Sequence, residues 1–136
     1  MNLRLLAPAL IVTVVAVVAV ASWFYAGTHP QFVPSDGEVA VREHGSVLRS
    51  FPAESAQADE IIVWFQQHQT GWSISFVTYA PKTTISCETF HINLLDGSII
   101  LNYLRHRPSV WMQITRALTP EEETFWRDYA SRPPTA

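Results

Sequence analysis

The fold is decided by one stretch of sequence, residues 85–105, which reads ISCETFHINLLDGSIILNYLR. Two runs rich in β-branched and aromatic residues flank Asp96-Gly97, a dipeptide that favours the positive φ angles of a type I′ turn. A two-residue turn pairs Leu95 with Ser98. One face of the hairpin is then wholly apolar and carries Phe90, Ile92, Leu94, Ile99, Leu101 and Tyr103. A slip of one residue destroys that face, so turn and pattern predict the same register.

Strands and helices are predicted on both sides of this hairpin. The spacing of apolar residues predicts further strand segments in residues 38–51, 72–79 and 109–118, and a helix in residues 53–69. Thr119-Pro120-Glu121-Glu122 predicts the start of a second helix over residues 120–131, with an N-cap threonine and a glutamate three positions later. We therefore predict an α+β domain over residues 38–132, an antiparallel sheet packed by two helices, with residues 133–136 as a tail.

The first part of the chain is strongly apolar. No charged residue occurs between Arg4 and Asp36, and the apolar run exceeds the roughly 20 residues that cross a bilayer. We therefore predict a transmembrane signal anchor over residues 1–27, followed by a linker over residues 28–37. Arg4 keeps the N-terminus in the cytoplasm under the positive-inside rule, which places the domain in the periplasm. The predicted membrane-interface residues are Arg4, Trp23, Phe24 and Tyr25.

Two other interpretations of the apolar run remain open. Ala19-Val20-Ala21 fits the small-x-small pattern of a signal-peptide cleavage site, and the residues before it form an h-region of suitable length. Cleavage after Ala21 also exports the domain but removes its tether to the membrane lipid. The remaining alternative is a buried helix of a soluble protein. The apolar run continues past Ala21 into the aromatic cluster, and this favours the uncleaved anchor.

Composition and motifs argue against several function classes. Nine basic and twelve acidic residues give a net charge of −3, without a basic run that would neutralise phosphates, so no nucleic-acid partner is expected. Cys87 is the only cysteine and excludes an intramolecular disulfide. No signature motif of a hydrolase, nucleotide-binding or zinc enzyme occurs. We therefore expect a non-enzymatic protein without a cofactor or a metal.

One chemical constellation follows from the predicted register of the hairpin. Cys87 lies opposite His106 in that register, and the pair is a candidate nucleophile and base or a candidate metal site. His91 lies two pairs further along, about 14 Å away at the spacing of residues in a strand, too far to share a metal ion with Cys87. The rest of this face mixes polar and apolar residues. We therefore predict an ordinary half-exposed sheet face here.

Aromatic residues are the remaining candidates for function. Tryptophan is enriched at interface hot spots, and the candidate partner-binding residues are Trp111, Tyr79 and Trp64. An anchor followed by an exported domain without catalytic motifs resembles the organisation of bacterial envelope accessory proteins, including inhibitors and immunity proteins. That resemblance implies a membrane-tethered periplasmic module that binds another protein, such as a secreted toxin or a cell-wall hydrolase. The alternative is a structural or assembly subunit of an envelope complex.

Overall fold

A computed structural model describes residues 11–22, 30, 37–106 and 109–133 of the chain. Residues 11–22 form helix α1, and every residue in it is exposed. Among the described residues, no helix combines the length and the apolar character needed to span a bilayer. The predicted interface residues Arg4, Trp23, Phe24 and Tyr25 lie outside the described residues, as do most of the predicted linker and residues 134–136 of the predicted tail.

The rest of the described chain is an antiparallel sheet with two helices, which confirms the predicted α+β class. Seven strands are present: β1 Glu38–Glu43, β2 Ser46–Pro52, β3 Ser73–Ile74, β4 Thr83–Ser86, β5 Phe90–Leu95, β6 Ser98–His106 and β7 Ser109–Ala117. Helix α2 spans Ala56–Gln67 and helix α3 spans Pro120–Ser131. The strands are ordered β2-β1-β4-β5-β6-β7-β3 across the sheet.

The predicted hairpin and its register are confirmed. β5 and β6 pair residue by residue from Leu95–Ser98 at the turn to Phe90–Tyr103 at the far end. Gly97 has a φ of 69°, a left-handed conformation that glycine adopts without steric cost. The φ of Asp96 is not positive, so the turn is not of the predicted type I′, which needs positive φ at both central residues. β1 and β2 form a second hairpin, in which His44 (φ 48°) and Gly45 (φ 83°) make the turn.

One face of the sheet forms the core together with the two helices. A row of directly paired residues crosses six strands and is wholly apolar, consisting of Val41, Ile85, Ile92, Leu101, Ile114 and Ile74. Helices α2 and α3 complete the core with Ile61, Phe65, Trp126 and Tyr129, which are all buried. Burial of each such side chain contributes roughly 1.5–3 kcal/mol, so this layer supplies most of the stabilisation of the sheet.

Both helices begin at side-chain caps. The Ser55 hydroxyl accepts a hydrogen bond from the Ala58 N–H at the start of α2. At the start of α3, Thr119 and Glu122 form the predicted capping box, in which each side chain accepts a hydrogen bond from the backbone N–H of the other. The helix that was predicted over residues 53–69 is shorter at both ends, because Ser55 caps it and His68 ends it.

The predicted pairing of Cys87 with His106 is wrong. The chain turns back at Cys87, whose N–H donates to the carbonyl of Phe90 at 3.0 Å, so Ser86 pairs with His91 in a β4–β5 hairpin. The β5–β6 ladder therefore ends at Phe90, and His106 pairs with Ser109 of β7. No glycine or proline marks this turn, so the sequence pattern predicts one continuous strand where the structure has β4 and β5.

The strand predicted over residues 72–79 is also much shorter in the structure. Only Ser73 and Ile74 form β3, which pairs with Thr115 and Ile114 of β7. The Ser75 N–H adds one more hydrogen bond, to the Gln113 carbonyl at 3.0 Å. The chain then leaves the sheet, because the Ser75 hydroxyl accepts from the Val77 N–H instead.

Candidate partner-binding surface

The face of the sheet away from the helices is mostly polar. Two rows of directly paired residues cross it, one made of Arg42, Thr84, Asn93, Ile100, Thr115 and Ser73, the other of Ala40, Ser86, His91, Asn102 and Gln113. Strand residues alternate between faces, so these rows follow from the apolar rows of the core. Because α2 and α3 both pack on the apolar face, neither helix covers the polar face, in which His91 is exposed but Ile100 and Ser86 are buried.

Hydrogen bonds between neighbouring strands fix several side chains of the polar face. Arg42 donates from Nη1 to the Ser86 hydroxyl at 2.6 Å. On the next strand pair, Thr84 donates to Asn93 Oδ1 at 3.2 Å. These bonds hold the polar groups in one orientation, so a binding partner would meet a largely preformed surface.

His91 and Trp111 come together on this face, although they belong to β5 and β7. Their ring centroids are 5.5 Å apart with the planes inclined by 38°. Burial, together with the positive charge of Arg42, lowers the pKa of His91 from its ordinary value of 6.5. At neutral pH the ring is therefore a neutral hydrogen-bonding group beside an exposed indole.

Several exposed apolar side chains lie at the β7 side of the sheet, and we call Phe76, Val77, Val110 and Trp111 the β7 corner. Val110 and Trp111 are consecutive in β7, so they point to opposite faces of the sheet. Four of the seven exposed large hydrophobic side chains in residues 37–133 belong to it. Phe76 is 92% exposed and Trp111 is 48% exposed. All four residues lie within three positions of the hydrogen bond between Ser75 and Gln113, which holds the two segments together.

Tyr79, the second predicted partner-binding residue, borders the β7 corner. It is half-buried, and its hydroxyl lies 3.1 Å from the Ser75 hydroxyl. Gln113 donates from Nε2 to the same Ser75 hydroxyl at 3.2 Å and to the Val77 carbonyl at 2.8 Å. These contacts fix the loop that presents Phe76 and Val77.

Trp64, the third predicted residue, is placed in the core and not on the polar face. It is only 5% exposed and stacks on His68, with 4.1 Å between ring centroids. Trp126 of α3 meets it edge-on at 4.9 Å. The indole of Trp64 therefore joins the two helices and offers little surface to a partner at the β7 corner.

A charged cluster beside Trp64 joins the ends of α2, α3 and β7. Glu122 accepts two hydrogen bonds from the Arg116 guanidinium, at 2.9 and 3.0 Å, and lies 3.0 Å from His68 Nε2. The hydrogen bond from Arg116 is the main cause that lowers the pKa of Glu122 below its ordinary value of 4.5. Arg116 Nε also donates to the Thr70 carbonyl at 3.0 Å, and His68 Nδ1 lies 2.6 Å from the Trp64 carbonyl, so these contacts give the cluster a structural role.

Cys87 and His106, which suggested chemistry, are not paired in the sheet. The Cys87 thiol is half-buried and lies 3.4 Å from the Thr89 hydroxyl. The side chain of His106 lies outside the described residues. Within the part of the chain that the structure describes, no three His, Cys, Asp or Glu side chains are grouped closely enough to hold a metal ion.

Comparison with known proteins assigns no family to this chain. No family model matches it, and no curated protein or solved structure matches it. The geometry of the described residues is therefore what indicates a function.

Of the four residues of the β7 corner, only Trp111 was predicted from the sequence as a partner-binding residue. The strand predicted over residues 72–79 would place Phe76 on the same face as Ile74, because residues two positions apart in a strand share a face. The early end of β3 reverses that expectation, because Phe76 follows the last sheet hydrogen bond and points into solvent. The one local signal is Ser75, since serine side chains compete with the backbone for hydrogen bonds.

Proposed function

We propose that this chain is a non-enzymatic protein-binding module, tethered to the inner membrane with its domain in the periplasm. Its role is to bind and neutralise another protein, such as a cell-wall hydrolase or a secreted toxin. The observation that carries the proposal is the β7 corner, where four of the seven exposed large hydrophobic side chains in residues 37–133 lie beside the polar face of the sheet. A concentration of exposed apolar and aromatic side chains in one region of a small domain favours an interaction site there.

The composition of the β7 corner supports a protein partner. Protein interfaces combine a small apolar centre, rich in aromatic residues, with a polar rim. Phe76 and Trp111 supply aromatic surface, and His91, Asn102 and Gln113 supply the neighbouring hydrogen-bonding groups. A small-molecule site would instead need a concave pocket that encloses its ligand.

The tether is supported by the composition and exposure of α1. Residues 11–22 read IVTVVAVVAVAS, and all of them are exposed. A helix that is apolar on all sides is typical of a membrane or helix-bundle environment. The sequence-based orientation, with the positive charge of Arg4 on the cytoplasmic side, then places the domain in the periplasm.

A photo-crosslinking experiment in cells tests the proposal. A photoreactive phenylalanine analogue replaces Phe76 in the full-length chain, and the control carries it at Val47, an exposed position on the opposite edge of the sheet. We expect a specific protein adduct from position 76 and none from position 47. The affinity of the crosslinked partner for this chain should fall about ten-fold or more in the Trp111→Ala variant, as expected for a hot-spot residue. It should stay unchanged in the Val47→Ala variant.

Two results would contradict this function. One is the same set of adducts from both positions, which indicates non-specific contact. The other is a partner whose affinity does not respond to Trp111→Ala although the variant folds normally. An adduct that forms only when residues 1–27 are native, and is lost with an unrelated anchor, would favour the alternative of an assembly subunit that binds through its helix.

A further inference from the structure

A second surface lies on the helix side of the domain, along the outer face of α2. We call it the α2 groove, with a volume of about 390 Å³; it is lined by Ala56, Asp59, Glu60, Val63, Trp64, Gln67 and Phe125. Six of these residues belong to α2 at spacings of three or four, so they form one stripe along the whole helix. A helix of twelve residues is about 18 Å long, which gives the length of the groove.

The floor of the α2 groove is apolar. Trp64 stacks on Phe125 of α3, with 6.4 Å between centroids and an angle of 11° between planes. Beside this pair, Val63 is 46% exposed and points away from the core. A valine at this place contributes little to the packing of the domain, because its neighbours Ile61 and Phe65 already fill the core side.

The rim of the groove carries carboxylates: Asp59 and Glu60 line it, and Glu121 and Asp128 flank the lining residue Phe125 at positions i−4 and i+3 on the same face of α3. Helices α2 and α3 together carry six carboxylates and one basic residue, Arg127. Three of the carboxylates are paired, since Glu60 binds Arg132, Glu122 binds Arg116 and Glu123 binds Arg127. Among the described residues, the other three make no side-chain ion pair or hydrogen bond; they are Asp59, Glu121 and Asp128.

We infer that the α2 groove binds a cationic amphipathic helix of a protein partner. Its apolar residues would lie on Val63, Trp64 and Phe125, and its Lys or Arg side chains would meet the unpaired carboxylates of the rim. An amphipathic helix laid in a groove is a recurrent mode of recognition, and complementary charge accelerates its association. This inference rests on the proposed protein-binding function but uses a surface distinct from the β7 corner.

The charge of the groove also argues against two other occupants, an anionic lipid surface and a second copy of this chain. An anionic lipid surface is repelled by the carboxylates of both helices. A second copy of this chain offers α2 and α3, which are net acidic, and α1, whose described residues carry no charge. Only a cationic segment neutralises the rim while it covers the apolar floor.

Binding of synthetic peptides tests the inference. The full-length chain is immobilised in non-ionic detergent, with a detergent-only reference surface, and probed with Leu/Lys and Leu/Glu peptides of about 18 residues and identical spacing, long enough to form a helix. We expect the Leu/Lys peptide alone to bind, with an affinity that falls as salt is added. Val63→Ser should weaken binding about ten-fold, whereas Val47→Ser, at a similarly exposed valine, leaves it unchanged. Asp59→Asn with Glu121→Gln should weaken it about three-fold or more, and Glu38→Gln should not.

Several outcomes would overturn the inference. These are equal binding of the two peptides, affinity unaffected by Val63→Ser, tighter binding to phosphatidylglycerol vesicles than to the Leu/Lys peptide, and self-association of the chain that Val63→Ser abolishes. A partner that crosslinks at Phe76, combined with no binding of the Leu/Lys peptide, would refute the groove inference and leave the proposed function intact. If neither the Phe76 crosslink nor binding of the Leu/Lys peptide is observed, both the proposed function and the groove inference are refuted.

Discussion

Removal of the Glu122 carboxylate should destabilise the domain more than removal of its neighbour Glu121. Glu122 is part of the capping box of α3 and also binds Arg116 and His68, whereas Glu121 is exposed and has no such partner among the described residues. The two residues occupy adjacent positions in the first turn of the same helix. Glu121→Ala is therefore a matched control for Glu122→Ala.

The magnitude follows from the contacts of Glu122. Loss of an N-terminal capping interaction costs about 1 kcal/mol. Hydrogen bonds between charged groups contribute about 1.5–3 kcal/mol, and those to Arg116 are partly protected because its side chain is only 16% exposed. Solvent still screens part of this interaction, so we expect Glu122→Ala to lower the free energy of unfolding by about 2–3 kcal/mol in total. Glu121→Ala should change it by less than about 0.5 kcal/mol.

The effect should also depend on pH. The pKa of Glu122 in the folded protein is lower than its ordinary value of 4.5, chiefly because of the hydrogen bond from Arg116. A carboxylate with a lowered pKa stabilises the fold fully above its unfolded pKa, and this contribution is lost as the pH falls through the folded pKa. The difference between the wild type and Glu122→Ala should therefore be constant near neutral pH and shrink below about pH 4.5.

Urea denaturation followed by tryptophan fluorescence measures both effects in the full-length chain. The fluorescence reports the transition directly, because Trp64 and Trp126 are buried beside the cluster. Equal loss of stability in Glu121→Ala and Glu122→Ala would refute the role of the capping box and the Arg116 pair. If the difference in unfolding free energy between the wild type and Glu122→Ala is the same at pH 7 and pH 3, the electrostatic contribution of Glu122 is refuted.

Two further predictions concern the sheet. Gly97→Ala should lower the free energy of unfolding by about 1 kcal/mol in thermal denaturation, because alanine is strained at a φ of 69° although its Cβ meets no atom within 4 Å; an unchanged melting temperature would contradict this. In an NMR titration, His91 should lose its proton with a pKa below 6.5, and Arg42→Gln should raise that pKa by removing the adjacent positive charge; a downward shift would show that the coulombic effect is absent.

The parts of the fold that the sequence predicted correctly are those set by neighbouring residues. The β5–β6 register follows from Asp96-Gly97 and the alternation on both sides of it. The start of α3 follows from Thr119 and Glu122, which are three positions apart. Both signals are complete within a few residues, so no knowledge of the tertiary structure is needed to interpret them.

The errors occur where distant contacts decide. The turn at Cys87 depends on the pairing of β4 with both β1 and β5. The residues around it contain no glycine or proline that would predict a turn. β3 pairs with β7 across the sheet, so its length depends on residues about forty positions later in the chain. Trp64 was predicted as a partner-binding residue on the surface of α2. It is buried because Phe125 and Trp126 of α3 cover it. Helical spacing shows which residues of α2 share a face, but it does not show which side chains of another helix cover them.

The shortness of β3 has a consequence for motion at the β7 corner. Backbone hydrogen bonds join this segment to β7 only at Ser73, Ile74 and the Ser75 N–H, and Gln113 adds two side-chain hydrogen bonds, whereas β6 pairs with β7 over nine residues. Release of so few hydrogen bonds requires far less free energy than unfolding of the whole sheet, so amide protons here should exchange with solvent long before those of β6. The segment that carries Phe76 and Val77 is thus held in place in the folded protein but can open locally while the core, the helix caps and the central hairpin remain intact.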